Sequence, residues 1–173
     1  GIGDKASQIV AGDSLISDSG DRFDVIMTNP PFGKKSSTII FSEAGKAERE
    51  TLSYERDDFW ATTSNKQLNF LQHVKTILKV NGRCAIVIPD NVLFEGGAGE
   101  TVRTKMLEQM NCHTLLRLPT GIFYAGGVKA NVLFFDRKPA RTDGKAWTEK
   151  LWIYDFRTNQ HFTMKENILS RKH

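Results

Sequence analysis

The sequence predicts an α/β fold built around a mostly parallel β-sheet, and three observations carry that prediction. Continuous apolar runs occur at 22–28 and 83–89, as in strands that are buried on both faces of a parallel sheet. Helical apolar periodicity separates such runs along the chain. The 173 residues, 39% hydrophobic and 25% charged, suffice for one domain with a buried core. We therefore expect strands and helices to alternate in a doubly wound domain.

The amino-terminal elements are predicted from the same periodicity. Residues 7–14 indicate a short strand that ends in a turn at Gly12-Asp13, and 22–28 indicate the first buried strand. The first helix is predicted to begin with a capping box of Ser64 and Gln67 and to stop at Asn81-Gly82.

The later elements alternate in the same way. The apolar runs predict a strand at 83–89, a helix at 100–110 and strands at 114–119, 131–136 and 151–156. The connection between 114–119 and 131–136 has no helical period. We therefore expect these two strands to form an antiparallel pair at the sheet edge, in an otherwise mostly parallel sheet.

The domain is predicted to cover 1–160, followed by a polar, basic tail at 161–173. Within it, residues 33–63 are polar, non-periodic and rich in Ser, Thr, Lys and Glu. Connections of this length are more often functional loops than filler, so we predict a long polar loop that orders when a partner binds. The chain begins with Gly1, and an α/β pattern is under way by residue 7, so we expect a piece of a longer protein.

Composition narrows the classes of protein. The net charge of +4 and the isoelectric point near 9.1 are compatible with a nucleic-acid partner without establishing one. No apolar run reaches the length of a membrane span, and no signal-peptide pattern opens the chain. Cys84 and Cys112 are isolated and the four histidines lie far apart, so the sequence predicts no disulfide framework and no metal site. We expect a cytoplasmic protein without a membrane partner.

The residues Asn29-Pro30-Pro31-Phe32 follow the strand at 22–28. A plain tight turn would account for one of the prolines. Two successive prolines make a rigid loop with no N–H of their own, so the Asn29 side-chain oxygen and the Pro30 carbonyl stand together as acceptors. Two acceptors aimed at one exocyclic amine would localise its lone pair and stabilise the positive charge that grows during methyl transfer. An aromatic such as Phe32 can stack on a base swung out of its duplex.

The motif and its flanks resemble the M (modification) subunit of type I restriction–modification systems. The resemblance rests on "GDSL…FDVIMTNPPFG", "TTSNKQLNFLQHVKTILKVNGRCAIVIPDNVLF", "LPTGIFYAGGVKANVLFFDR" and "WIYDFRTN", which together cover nearly the whole chain. It implies a Rossmann-like, S-adenosylmethionine-dependent methyltransferase fold. That fold would be incomplete here, because the family's first strands and glycine-rich cofactor loop belong upstream of Gly1.

The resemblance also implies roles for particular residues. The catalytic residues would be Asn29, Pro30, Pro31 and Phe32, of which Asn29 and Pro30 hold the target amine and Phe32 stacks on the flipped adenine. Such an enzyme methylates the amino group of adenine in duplex DNA and needs no metal for the transfer.

Three further positions match less distinctive parts of the family pattern. Asp13 matches the acidic residue that hydrogen-bonds the adenine of S-adenosylmethionine, although a turn aspartate is the simpler interpretation. Phe123 and Lys129 lie in the segment near the base pocket, where loop packing and a solvated charge are the simpler interpretations. The resemblance therefore makes Asp13 a cofactor-binding residue, and Phe123 and Lys129 substrate-binding residues.

The resemblance implies partners as well. They are duplex DNA, a specificity (S) subunit, a restriction (R) subunit and a second M subunit. Because the glycine-rich loop has no counterpart in the sequence, we expect the chain by itself to bind cofactor poorly and to be inactive.

Three alternatives compete with this interpretation. An esterase with Ser14 in "GDSL" as nucleophile would need Asp-x-x-His, which neither His161 nor His173 provides. Amino methyltransferases that act on protein glutamine or on RNA share the acceptor geometry, but they usually carry Tyr at the position of Phe32. A non-catalytic docking piece of the M subunit would lack cofactor binding even in a longer protein.

Overall fold

The computed structural model describes residues 11–33, 37–41, 47–51, 53–123, 128–157, 162 and 169–172. Its strands are β1 (Phe23–Thr28), β2 (Ser37–Phe41), β3 (Ala47–Thr51), β4 (Leu78–Pro89), β5 (Met110–Arg117), β6 (Ala130–Arg137) and β7 (Trp152–Asp155). Its helices are α1 (Lys66–Ile77), α2 (Asn91–Phe94) and α3 (Ala98–Gln109). Strands β1, β2 and β3 thus precede α1, β4 follows it, and α2 and α3 lead to β5, so the predicted alternation is interrupted by the extra pair β2 and β3 and by the short helix α2.

A mixed sheet with the order β1-β4-β6-β5-β7 forms the body of the protein. β1 runs parallel to β4, and β5 runs parallel to β7, while β6 is antiparallel to both of its neighbours. The predicted antiparallel pair of β5 and β6 is present. It lies inside the sheet and not at its edge, because β7 adds to the outer side of β5.

The core lies where α1 and α3 contact each other and pack against β4 and β5. Every second residue of β4 points into it, so Cys84, Ile86 and Ile88 are at most 4% exposed. In β6, Phe135 is fully buried. From α3, Val102 and Met106 complete the contact, as their helical spacing predicts.

Strand β1 departs from its prediction. Phe23, Val25 and Met27 are 47%, 52% and 82% exposed, although the apolar run predicts burial on both faces. A parallel strand is buried only when strands flank it and helices cover it. Among the described strands, β1 pairs with β4 alone, so the prediction of full burial is wrong for the described structure.

The N-cap of helix α1 lies one residue later than predicted. Asn65 is the N-cap, and its Oδ1 accepts hydrogen bonds from the backbone N–H groups of Gln67 (3.0 Å) and Leu68 (3.3 Å). The predicted capping box of Ser64 and Gln67 is therefore wrong, since Asn65 provides the acceptor. As a result the Gln67 side chain is not needed for the cap.

The predicted end of α1 is also wrong. The helix ends at Ile77 and β4 begins at once, so Asn81-Gly82 is not its stop. Instead Asn81 adopts a left-handed φ of 66° where the pairing of β4 with β1 shifts register. A Cβ on Gly82 would lie 2.8 Å from the Lys79 carbonyl oxygen and 3.0 Å from that of Asp24, so the close approach of β1 and β4 requires glycine here.

The segment 33–63 contains more regular structure than a polar loop. β2 and β3 form an antiparallel hairpin, and residues 53–63 pack against α1. Tyr54 is buried, and the Gln72 amide exchanges hydrogen bonds with the backbone of Ala61 at 2.9 and 3.0 Å. The described residues 53–63 therefore pack against α1 through contacts within this chain.

Some predicted features fall outside the described residues. They include residues 7–10 of the first predicted strand and most of the tail 161–173. Within the tail, Phe162 is 4% exposed and lies 6.0 Å from the Phe156 ring. In the described part of the chain, none of the helices has the length and apolar character needed to cross a membrane.

Candidate active site

The Asn29–Phe32 loop leaves the carboxyl end of β1, as the sequence predicts. Asn29 and Pro31 are exposed, Pro30 is buried and Phe32 is half-buried. The Nε2 of Gln67 donates a hydrogen bond of 2.7 Å to the Pro31 carbonyl oxygen. The loop is therefore joined to the first turn of α1, which lies 36 residues further along the chain.

Phe32 borders a cavity of about 300 Å³, which is at the lower end of the size range of small-molecule sites. The other residues that line it are Gly33, Gln67, Pro89, Asp90, Asn91, Val128 and Lys129. The Phe123 ring meets Phe32 edge to face, with centroids 5.3 Å apart and planes at 86°. The structure thus brings together Phe32, Phe123 and Lys129, to which the family resemblance gives a role in base binding.

Lys129 is exposed, and its backbone rather than its ammonium has a described hydrogen bond. Its carbonyl oxygen accepts from the Asp90 N–H at 2.9 Å, which links the start of β6 to the end of β4. A cation at the edge of a cavity suits an anionic ligand.

Asp13 does not line this cavity. Its Oδ1 accepts from the Leu15 N–H at 2.9 Å, and its Oδ2 accepts from the Tyr54 hydroxyl at 2.7 Å. The turn that the sequence predicts at this position is therefore present. Because Asp13 is exposed and each carboxylate oxygen has a second acceptor position, the carboxylate can still receive a hydrogen bond from a ligand amine.

A charged cluster lies at the carboxyl ends of β4, β5 and β7. Asp90 Oδ1 accepts from Asn131 Nδ2 at 2.8 Å, and its Oδ2 lies 3.6 Å from Arg117 and 3.7 Å from Arg157. Arg157 also forms a two-point contact with Asp155, at 2.6 and 2.8 Å. These hydrogen bonds hold the pKa of the Asp155 carboxyl well below its usual range.

The sequence-based prediction assigns no role to Asp90 or to either arginine of this cluster. It also missed Gln67, to which it assigned a cap. Nothing local marks these residues, because their contacts depend on how strands and helices meet. The one available signal was that Asp90 follows an apolar strand of a doubly wound fold.

The two cysteines lie apart from the cavity lining. Burial raises the pKa of the Cys84 and Cys112 thiols to about 12. Neither is therefore suited to act as a nucleophile. In the part of the chain that the structure describes, no three His, Cys, Asp or Glu side chains are grouped as metal ligands.

Comparison with known proteins places this geometry in context. The pattern that defines the family "N-6 DNA Methylase" matches residues 1–173. This chain belongs to the N-6 DNA methylase family. It is 41% identical, over 174 residues, to the type I restriction enzyme StySPI methylase subunit of Salmonella potsdam. That alignment covers 98% of this chain and 30% of the relative.

Solved structures agree with the family. The EcoKI M protein is 39% identical and superposes with a TM-score of 0.74 over 93% of this chain and 31% of that one. A proposed class I S-adenosylmethionine-dependent methyltransferase of Listeria monocytogenes gives a TM-score of 0.51 at 14% identity, over 82% of this chain and 39% of that one. The fold is thus that of the Rossmann-like methyltransferases. The chain spans about a third of the length of the type I subunits it matches.

Proposed function

We propose that this chain is part of the catalytic domain of a type I M subunit that methylates the amino group of adenine in duplex DNA. The observation that carries the proposal is the Asn29–Phe32 loop at the carboxyl end of β1, with Phe32 bordering a cavity of about 300 Å³. The family match and the similarity to type I methylase subunits support it.

In the proposed mechanism, the Asn29 Oδ1 and the Pro30 carbonyl oxygen accept the two hydrogens of the adenine amine. This grip concentrates the lone pair on nitrogen and stabilises the positive charge that grows there. S-adenosylmethionine, which Asp13 would help to hold, would supply the methyl group from a sulfonium, and its neutral thioether would be the leaving group. The methylated nitrogen then releases a proton to solvent, so the step needs no protein base.

The cavity would hold the adenine after it leaves the duplex. Phe32 offers a ring for stacking, and its edge-to-face contact with Phe123 limits the orientations of that ring. Lys129, exposed at the cavity, would contact a phosphate of the extruded nucleotide. These roles account for three residues that the structure brings together.

Asp13 would accept a hydrogen bond from the adenine amine of the cofactor. Its exposed carboxylate fits that donor, and its contacts with Leu15 and Tyr54 would fix its direction. The sequence offers no glycine-rich loop for the rest of the cofactor, so we expect weak binding by this chain alone.

The proposed assembly follows that of type I systems. The full protein would act in the cytoplasm with a second M subunit and an S subunit, and an R subunit would join for cleavage. Sequence specificity would then come from the S subunit and not from this chain.

The decisive test uses the full-length protein that contains this chain, co-expressed with its S subunit and supplied with radiolabelled S-adenosylmethionine. We expect label on DNA adenine, and a loss of at least about 100-fold in Asn29→Ala with cofactor binding retained. Asn111→Ala, a change of the same type on β5 outside the cavity lining, is the control.

The other outcomes point to the alternatives. Label on RNA or protein would move the substrate to another class of amino methyltransferase. Undiminished turnover by Asn29→Ala would remove the catalytic assignment. No label on any macromolecule would favour a docking role.

A further inference from the structure

We propose that Gln67 is a positioning residue for the Asn29–Phe32 loop, an inference that rests on the proposed function of that loop. Its Nε2 lies 2.7 Å from the Pro31 carbonyl oxygen, and the residue is 3% exposed. Gln67 also lines the same cavity as Phe32. It is thus a buried amide donor in contact with the loop that would carry the chemistry.

The backbone of Gln67 is itself firmly held. Asn65 Oδ1 accepts from the Gln67 N–H at 3.0 Å, and Asn65 Nδ2 donates to Glu95 Oε2 at 2.6 Å. Arg103 Nη1 in turn donates to the Glu95 carbonyl oxygen at 2.7 Å. A series of hydrogen bonds therefore runs from α3 to the start of α1, and it holds the backbone from which the Gln67 side chain extends.

The contact has two consequences for the loop. The hydrogen bond from Gln67 to the Pro31 carbonyl oxygen restrains the plane of the peptide between Pro31 and Phe32. It thereby restrains the direction of the Phe32 Cα–Cβ bond. The proline rings restrict rotation on the other side, so the restraint extends toward Asn29 and Pro30.

The same hydrogen bond also separates the acceptors of the loop. The Pro31 carbonyl oxygen is already bound by Gln67, whereas no described hydrogen bond occupies the Asn29 Oδ1 or the Pro30 carbonyl oxygen. A target amine would therefore meet the two acceptors that the mechanism uses, with the third less available.

Substitutions at position 67 can separate the effect of the hydrogen bond to Pro31 from the effect of side-chain packing. Gln67→Leu removes the donor with little change of volume, and leucine is a good helix former. Gln67→Glu keeps the size, and an acidic residue is favourable in the first turn of a helix. Its ionised carboxylate cannot donate, but its protonated form has one O–H donor.

The experiment measures kcat and KM for DNA methylation by the full-length protein with its S subunit. We expect Gln67→Leu to lower kcat by about 10- to 100-fold while KM for S-adenosylmethionine stays within about twofold, as for a misplaced reacting group. In Gln67→Glu we expect activity relative to wild type to recover at least several-fold as the pH falls from 8 toward 5. Asp90, Lys129 and Glu95 are common to both proteins, so the activity ratio isolates position 67.

Gln72→Leu is the matched control. It is the same change in the same helix, and Gln72 bonds the backbone of Ala61 rather than the loop. We expect it to lower Tm and to leave kcat unchanged. Far-UV circular dichroism of all three variants checks that they fold.

The outcomes separate this inference from the proposed function. A wild-type protein that methylates no DNA would overturn the proposed function itself. An active wild type with unchanged kcat in Gln67→Leu, or an equal loss in Gln72→Leu, would overturn the positioning role. A loss in Gln67→Leu without recovery of Gln67→Glu at low pH would also overturn it, because the hydrogen bond would not be the cause.

Discussion

The centre of the sheet and its β1 side are held in different ways. In β4 and β6, Ile86, Ile88 and Phe135 are at most 1% exposed, whereas Val25 and Met27 in β1 are 52% and 82% exposed. Yet the proposed catalytic residues follow β1. Their loop is supported by a hydrogen bond from α1 rather than by burial of the strand before it. Stability and chemistry therefore depend on separate groups of residues, and substitutions should affect one without the other.

The largest expected effect on stability is at the centre of the sheet. Phe135 lies on β6, the strand between β4 and β5, and its ring is fully buried. We expect Phe135→Ala to lower the free energy of unfolding by about 3–5 kcal/mol. Urea denaturation followed by circular dichroism measures this change. Methylation per folded molecule of the full-length protein should remain close to wild type.

The control for this prediction is Phe94→Ala, the same change at a side chain that is 73% exposed. It should cost well under about 1 kcal/mol. If both variants unfolded at the same urea concentration, the sheet centre would not be the main source of stability.

The two buried thiols test whether the centre of the sheet is closed to solvent. Cys84 lies on β4 and Cys112 on β5, and burial raises the pKa of each thiol to about 12 from an ordinary value near 9. At pH 8 the thiolate fraction should be about a thousand-fold smaller than that of an exposed cysteine. Disulfide reagents should therefore label the native protein slowly and the urea-unfolded protein at once. Rapid native labelling would show that the core opens readily.

Local patterns were enough to predict the contents of the sheet. Buried strands within β4 and β6 and the apolar face of α3 follow from runs and periodicities of a few residues. The proposed catalytic residues were visible for the same reason, since Asn29–Phe32 are contiguous and their chemistry is carried by residue type.

Arrangement in space could not be read from these patterns. The position of β6 inside the sheet depends on where β7 adds, and the Gln67–Pro31 contact joins residues 36 positions apart. The predicted burial of β1 is wrong because an apolar run shows only that a strand could be buried. It does not show which strands and helices cover it, and among the described strands β1 pairs with β4 alone. The cap of α1 was misplaced because Ser64 and Asn65 are both good acceptors, and geometry decides between them.

The smallest expected effect concerns His73 on α1. This helix packs against β4 and also donates the Gln67 hydrogen bond to the Asn29–Phe32 loop. Burial lowers the His73 pKa, and nearby Arg56 lowers it further, while Asp58, Asp18 and Asp13 act in the opposite direction. Arg56 Nη1 lies 3.2 Å from His73 Nδ1, and a guanidinium only donates, so Nδ1 accepts and the neutral ring carries its proton on Nε2.

The lowered pKa fixes the sign of a pH effect on stability. The unfolded state takes up the His73 proton near pH 6.5, before the folded state does, so stability from this residue is complete above about pH 6.5 and is lost as the pH falls toward the folded pKa. The slope cannot exceed about 1.4 kcal/mol per pH unit for one group. Urea unfolding between pH 5 and 8 measures the stability of wild type minus that of His73→Gln, in which contributions from groups common to both proteins largely cancel. A difference that grew as the pH fell would mean that His73 is charged in the folded protein, and that Arg56 does not face its ring.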